Sequence, residues 1–231
     1  MAEKYYHLSP YAYCAGDPVN LVDPDGRKIR ITGDQQNTTL KVLEDLYGGK
    51  LNFDDNGYIT IIEQTDSKNR NSKLISEIIN NENIIVDLWT TNGKFTQNGA
   101  LFCGGAFMGS ETEYSEGQKQ VHTYQTVNLN VLQKVDEHGG YWGRSLMHEI
   151  SESYYGGIYA YDNNLDKIEP AYRISKNKVY KYAHKKAVQT SSIRQRLFDK
   201  HGVEVFDISN WNKAIWYVDY NYRVYPIQTY P

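Results

Sequence analysis

Residues 143–157 read Gly-Arg-Ser-Leu-Met-His-Glu-Ile-Ser-Glu-Ser-Tyr-Tyr-Gly-Gly, and the helix that this stretch predicts decides the fold class. Leu146, Met147 and Ile150 lie largely on faces other than that of His148, so they are available to a core. Gly156-Gly157 indicates the end of a helix, and a second glycine pair indicates a boundary before its start. We therefore predict a helix over about residues 143–155.

His148 and Glu152 are candidate metal ligands on this helix, because positions i and i+4 lie on one face, one turn apart. Two ligands at that spacing can bind one metal ion. The zinc-protease motif H-E-x-x-H uses this geometry, with the intervening glutamate activating water. In this sequence Glu152 replaces the second histidine, which makes the motif H-E-x-x-E. A catalytic zinc commonly takes two histidines and one glutamate, so a further histidine is expected downstream.

His184 is the candidate for the missing ligand, and it lies in Tyr-Lys-Tyr-Ala-His-Lys-Lys-Ala at 180–187. The surrounding pattern predicts a second helix at about 177–189. We predict that His148, Glu152 and His184 bind zinc. The set contains two histidines and one glutamate, as in known catalytic zinc sites.

Glu149 and Tyr180 are the predicted catalytic residues. Glu149 follows the first ligand and is the expected general base. Tyr180 lies four residues before His184 on the same helix face, where it can steady the substrate carbonyl or the reacting water. Glu169, in the loop between the two helices, is the alternative carboxylate ligand to Glu152.

The opposing interpretation is that these side chains are a solvated helix face, since an isolated H-E-x-x-E is usually free of metal. The combination with the Gly-Gly stop, His184 and a polar-faced strand upstream favours a metal site. We expect Thr123 to Asn130 to hold extended substrate by edge pairing.

The remaining histidines and the cysteines are interpreted as structural. His122 opens a predicted strand, His138 lies in a predicted turn, and His201 lies at a predicted helix end. Cys14 and Cys103 are too few for a disulfide framework and lack metal-ligand spacing. Packing is the favoured role for both cysteines, and one long-range disulfide is the alternative.

Upstream of the central helix the pattern is mixed α and β. Strands are predicted at 28–32 and 84–89, helices at 38–47 and 74–79, and a hairpin joins 50–53 to 58–62 across Asn56-Gly57. The glycine-rich stretch 91–119 is predicted to be a loop or lid, and 121–131 a strand with one polar face.

Downstream of the second helix, an amphipathic helix is predicted near 191–200, closed by Gly202. Aromatic strands are predicted from Val203 to Tyr225. The chain is therefore expected to be α+β, with a mixed sheet and an active-site helix.

Residues 1–26 differ from the rest, because they are tyrosine-rich and end in Asp-Pro-Val-Asn-Leu-Val-Asp-Pro-Asp-Gly at 17–26. This segment resembles the closing motif of the Rhs repeat-associated core domain. In that family the core forms a hollow β-shell, and a variable C-terminal domain, often a toxin, follows Asp-Pro-x-Gly. The resemblance covers about a tenth of the chain. It implies that 1–26 is the tail of an Rhs core and that 27–231 is a C-terminal effector domain.

A second resemblance concerns His148-Glu149, Glu152-Ser153-Tyr154 and Gly156-Gly157, followed by Ala183-His184 and Ala187. This pattern resembles a C-terminal domain that recurs in Rhs proteins of Bacteroides-like bacteria and is zincin-like. The resemblance implies a zincin-like metallohydrolase fold and supports the pairing of these residues. It does not indicate a particular substrate.

Composition limits the classes of function. The chain has 231 residues, 40% apolar and 23% charged, with net charge −3; this suits one large domain or two small ones. Nucleic-acid binding usually requires a basic surface, so the charge counts moderately against a nuclease. No stretch has the length of a membrane span, and no signal peptide is seen at the start. The 21 tyrosines suit a core edge or a glycan- or peptide-binding surface.

Three functions follow from these observations. The first is a zinc metallopeptidase acting as a toxin in bacterial competition, delivered as part of a larger Rhs protein and neutralised by a cognate immunity protein. The second is a nuclease toxin, which requires a local basic groove. The third is a non-catalytic glycan- or peptide-binding module, in which Trp211 or Trp216 would be needed for binding.

Overall fold

The described part of the chain is α+β with a mixed sheet, as the sequence predicts. This computed structural model describes residues 29–66, 68–115, 117–170, 178–190, 194–199, 201, 203–204, 214–220 and 223–229. The proposed Rhs-core tail, 1–26, lies outside the described residues, and so do Cys14 and His7.

The described residues contain five helices and ten strands. The helices are α1 (Gln36–Tyr47), α2 (Arg70–Ile79), α3 (Leu129–Gly139), α4 (Arg144–Asp162) and α5 (Lys178–Lys186). The strands are β1 (Ile29–Gly33), β2 (Lys50–Phe53), β3 (Ile59–Glu63), β4 (Ile84–Thr90), β5 (Gly105–Ser115), β6 (Gln118–Val127), β7 (Lys167–Ile168), β8 (Arg194–Asp199), β9 (Ala214–Tyr220) and β10 (Arg223–Thr229).

A five-stranded sheet in the order β1-β4-β6-β5-β7 supports the central helix. Strands β1, β4 and β6 are parallel, while β5 is antiparallel to both β6 and β7. Helix α4 packs against β4, β5 and β6, and α5 packs against α4. The core between them contains Val86, Val121, Met147 and Ile150. No helix among the described residues has the length and apolar character of a membrane span.

Several local predictions are confirmed. Helix α1 ends at Gly48, which adopts a left-handed conformation (φ 77°) and satisfies the Glu44 carbonyl. Strands β2 and β3 form the antiparallel hairpin around Asn56-Gly57, where Gly57 has φ 82°. The expected strands and helix at β1, β4 and α2 are also present.

The prediction of a loop or lid over 91–119 is wrong for much of its length, because β5 is an eleven-residue strand. Its glycines do not break it. Gly109 has φ 90° at a bulge between Phe107 and Ser110, where the register shifts. The backbone of β6 requires a hydrogen-bonding partner, and β5 provides it.

Strand β6 differs from the predicted polar-faced strand in two ways. It ends at Val127, because Asn128 caps α3 by accepting a hydrogen bond from the Val131 N–H. It is also an interior strand, paired with β4 on one side and β5 on the other. The expected edge pairing at Thr123 to Asn130 is therefore wrong, since no edge is available there; β5 lies nearer the edge.

Helix α4 continues to Asp162, so the predicted end of the helix at Gly156-Gly157 is wrong. These glycines lie where the helix approaches the sheet closely. A Cβ atom at Gly156 would lie 2.8 Å from the Phe107 ring, and one at Gly157 would lie 2.6 Å from the Ile84 side chain. Tertiary packing thus outweighs the helix penalty of about 1 kcal/mol per glycine.

The predicted helix near 191–200 is also wrong, because Arg194–Asp199 forms β8 and pairs with β9. Strand pairing in the three-stranded sheet β10-β9-β8 outweighs a weak local helical pattern. His201 consequently follows a strand instead of ending a helix. The expected aromatic strands are present as β9 and β10, whereas Trp211 lies outside the described residues.

The start of α4 is held by the buried side chain of Asp136 from α3. Its carboxylate accepts hydrogen bonds from the backbone N–H of Gly143 (2.9 Å) and of Ser145 (3.0 Å), and from the Ser145 hydroxyl (2.7 Å). Gly143 precedes the helix with φ 88°. This contact satisfies N–H groups that a helix start leaves unpaired.

We expect Asp136→Ala to lower the free energy of unfolding by about 1–3 kcal/mol, because buried N–H groups lose their acceptor. Chemical denaturation measures this change. Glu137→Ala is the matched control, since Glu137 is the next residue of α3 and is exposed. Equal stability of the two variants would contradict the assigned role of Asp136.

Candidate metal centre

Helix α4 places His148 and Glu152 side by side and removes both from solvent. The two residues are 7% and 3% exposed, and His148 Nε2 lies 3.7 Å from Glu152 Oε2. A buried carboxylate requires partners that favour its charge. The predicted i, i+4 geometry of His148 and Glu152 is present in the structure.

Helix α5 brings His184 to the same point. Its Nδ1 lies 2.6 Å from Glu152 Oε2, and its ring meets the ring of His148 edge-on at 4.8 Å between centroids. The His184 side chain is 52% exposed, which makes it the solvent-facing member of the group. Residues distant in sequence are thus assembled by the packing of α5 on α4.

The tautomer of His148 is set by the backbone of Val188. His148 Nδ1 donates to the Val188 carbonyl oxygen at 2.7 Å, which leaves Nε2 with a lone pair toward Glu152. The Val188 N–H in turn donates to Ser151 Oγ at 2.9 Å. Such a carbonyl contact is a common support for histidine ligands. Sequence patterns do not reveal this contact, because a backbone carbonyl carries no residue signature.

Burial lowers the pKa of a histidine and a neighbouring carboxylate raises it, and the larger of the two effects differs between His148 and His184. Burial lowers the pKa of His148, whereas the hydrogen bond to Glu152 raises the pKa of His184 above its usual 6.5. In the metal-free protein, the stabilisation from the His184–Glu152 pair is therefore present below pH 6.5 and is lost as pH rises through the raised pKa.

We expect metal binding to weaken as pH falls below the raised pKa of His184, because the metal must displace a proton from this residue. The apparent affinity should fall by about tenfold per pH unit once that proton is bound. Zinc titrations at several pH values measure the slope. Removing His184 should abolish this proton-linked step, and an unchanged slope in His184→Ala would contradict the assignment.

Glu149 lies on the sheet side of α4. Its Oε2 accepts a hydrogen bond from Gln125 Nε2 of β6. Burial, and then the charge of Glu152, raises the pKa of Glu149 well above its ordinary value, while the Gln125 hydrogen bond opposes that shift. A carboxylate with these properties beside a metal-binding group is suited to accept a proton.

Tyr180 and Cys103 both lie near Glu149. The Tyr180 ring stacks on His184 at 5.4 Å between centroids, and burial together with Glu152 and Glu149 raises the pKa of its hydroxyl. The Tyr180 hydroxyl is therefore a neutral donor at pH 7. Burial, and then Glu149, raises the pKa of Cys103 to about 12, so this free cysteine is an inert thiol.

The other candidates lie elsewhere. Glu169 pairs with Lys167 at 3.7 Å, so it does not replace Glu152. His122 Nδ1 pairs with Asp87 at 2.8 Å. His138 lies within α3 instead of a turn and stacks on Tyr225 at 4.0 Å. Sequence reasoning missed Gln125, whose position inside a strand resembles that of any polar residue.

Among the described residues, the group able to hold a metal ion consists of His148, Glu152 and His184, with ligand atoms all within 4.8 Å of one another. Two imidazoles and one carboxylate form a donor set that suits zinc and other divalent transition metals. No protein-family model, curated protein or solved structure matches this chain.

Proposed function

We propose that the protein is a zinc-dependent hydrolase, most simply a metallopeptidase with a zincin-like active-site helix. The observation that carries the proposal is the close grouping of the buried His148 and Glu152 with the half-exposed His184, with Glu149 one residue from the first ligand. Surface charge pairs are exposed in general, whereas both groups on α4 are buried here.

The proposed roles follow from the contacts. His148 through Nε2, Glu152 through a carboxylate oxygen and His184 would hold a zinc ion, which would supply a Lewis acid for water and for a carbonyl. Glu149 accepts a proton from the attacking water and passes it to the leaving amine. Tyr180 donates from its hydroxyl to the substrate carbonyl, because its pKa keeps it protonated.

The edge of strand β5 favours an extended peptide as the substrate. Its first residues, Gly105–Phe107, pair with β6 on one side, while β7 pairs with β5 only at Ser110 and Glu111. The Gly105 N–H donates to the Cys103 carbonyl at 3.0 Å, and the described residues supply no further strand beside Ala106 and Phe107. An extended peptide can add to such an edge through main-chain hydrogen bonds, and Gly105 lies directly beside Glu149.

The biological setting of the proposal comes from the Rhs resemblance. In it, residues 1–26 end an Rhs core, 27–231 form a toxic effector in interbacterial competition, and the protein is delivered as part of a larger Rhs protein. A cognate immunity protein would protect the producing cell, most simply by covering the surface at His184. The exposure of His184 makes it accessible to such a partner.

Metal content and proteolysis test the proposed function. Purified full chain should contain about one zinc per molecule by elemental analysis and should cleave unfolded, fluorescently labelled casein. A chelator should stop cleavage, and added zinc should restore it. A chain with intact circular dichroism, no bound metal and no zinc uptake would overturn the proposal.

A further inference from the structure

We infer that Gln125 is a positioning residue that fixes the general base Glu149, and that Gly105 provides the space in which the carboxylate lies. This inference deepens the proposed function and rests on it. Neither residue belongs to a recognisable motif. Both lie in the sheet, Gln125 on β6 and Gly105 at the start of β5.

The contact itself is specific. Gln125 is 1% exposed, and its Nε2 donates to Glu149 Oε2. Because Nε2 engages one carboxylate oxygen, the other oxygen remains for the reacting water. β6 is paired on both sides, so Gln125 is anchored on a rigid element.

Position 105 requires glycine for a steric reason. A Cβ atom at this position would lie 2.0 Å from both Cδ and Oε2 of Glu149. The backbone of Gly105 does not have the positive φ that would itself demand glycine. Any larger residue must therefore displace the Glu149 carboxylate or the strand.

The Gln125 side chain lowers the stability of the fold at one of its two polar atoms, so a purely structural role does not explain it. Within the described residues, Gln125 Oε1 is buried and has no hydrogen-bond partner. An unsatisfied buried acceptor is destabilising, so an apolar side chain would pack more favourably there. Attachment of α4 to β6 is already supplied by Thr123, whose hydroxyl donates to the Ser153 carbonyl at 3.0 Å. Holding Glu149 accounts for a glutamine at this position.

The experiment compares Gln125→Met and Gly105→Ala with the control Thr123→Val in the full, zinc-loaded chain. Thr123→Val removes a buried hydrogen bond between the same strand and helix without touching Glu149. We expect the first two variants to lower kcat on labelled casein by about 10- to 100-fold with KM within about threefold and zinc content unchanged. Thr123→Val should keep kcat within about twofold.

Two further readouts separate positioning from loss of structure. In a Glu149→Gln background, Gln125→Met should produce no additional loss of kcat, since a positioning residue acts only through its partner. Crystal structures of Gln125→Met and Gly105→Ala should show the Glu149 carboxylate displaced by about 1 Å or more.

The outcomes are distinguishable. If Glu149→Gln is as active as the wild type, or if no chain cleaves casein, the proposed function fails; the displaced carboxylate still decides whether Gln125 positions Glu149. If Glu149→Gln is inactive while Gln125→Met matches Thr123→Val, only the positioning inference is overturned. An unmoved carboxylate in both variants would also overturn it.

Discussion

Replacing His148 with alanine is expected to weaken zinc binding by about a hundredfold or more. Structural zinc sites bind with about 10–16 kcal/mol, so loss of one ligand of three removes roughly 3–5 kcal/mol, or about a hundredfold to several thousandfold in affinity. The loss should be larger than the one caused by His184→Ala. His148 is fixed by the Val188 carbonyl and is 7% exposed, whereas the His184 side chain is 52% exposed.

Competition with a chromogenic chelator and elemental analysis measure this loss. The control is His122→Ala, which also removes a histidine that pairs with a carboxylate, here Asp87 at 2.8 Å. His122→Ala should bind zinc like the wild type. If both variants retain one zinc, the ion lies elsewhere and the ligand assignment is wrong.

The second large effect concerns Glu149. We expect Glu149→Gln to lower kcat by about 10²- to 10⁴-fold, since a general base contributes a factor of this size. The variant should keep its zinc and be at least as stable as the wild type. The reason is that burial raises the pKa of Glu149 well above its ordinary value, so its charged form is disfavoured in the folded state.

Cleavage of labelled casein, zinc content and thermal unfolding together test this prediction. Glu169→Gln is the control, because Glu169 follows α4 in sequence and pairs with Lys167 away from the metal-binding group. It should retain full activity. A Glu149→Gln variant that is fully active would remove Glu149 from the mechanism, and one that unfolds would instead indicate a structural role.

The local elements were largely predictable because their signals are local. Asn56-Gly57 indicates the hairpin, Gly48 ends α1 in a left-handed conformation, and the apolar pattern of Leu74 to Ile79 indicates α2. The errors occur where packing outweighs such signals. Gly156-Gly157 lies inside α4, since the sheet approaches too closely for a side chain.

The sequence alone determined the α+β class and the pairing of His148 with Glu152, because helical spacing places residues i and i+4 on one face whatever the fold. It also singled out His184 as a candidate, although not its distance. Tertiary structure decided the rest: packing of α5 on α4 brings His184 Nδ1 to 2.6 Å from Glu152, and the Val188 carbonyl orients His148. The sheet places Gln125 and Gly105 around Glu149. These contacts join segments far apart in sequence, and local spacing carries no information about such distances.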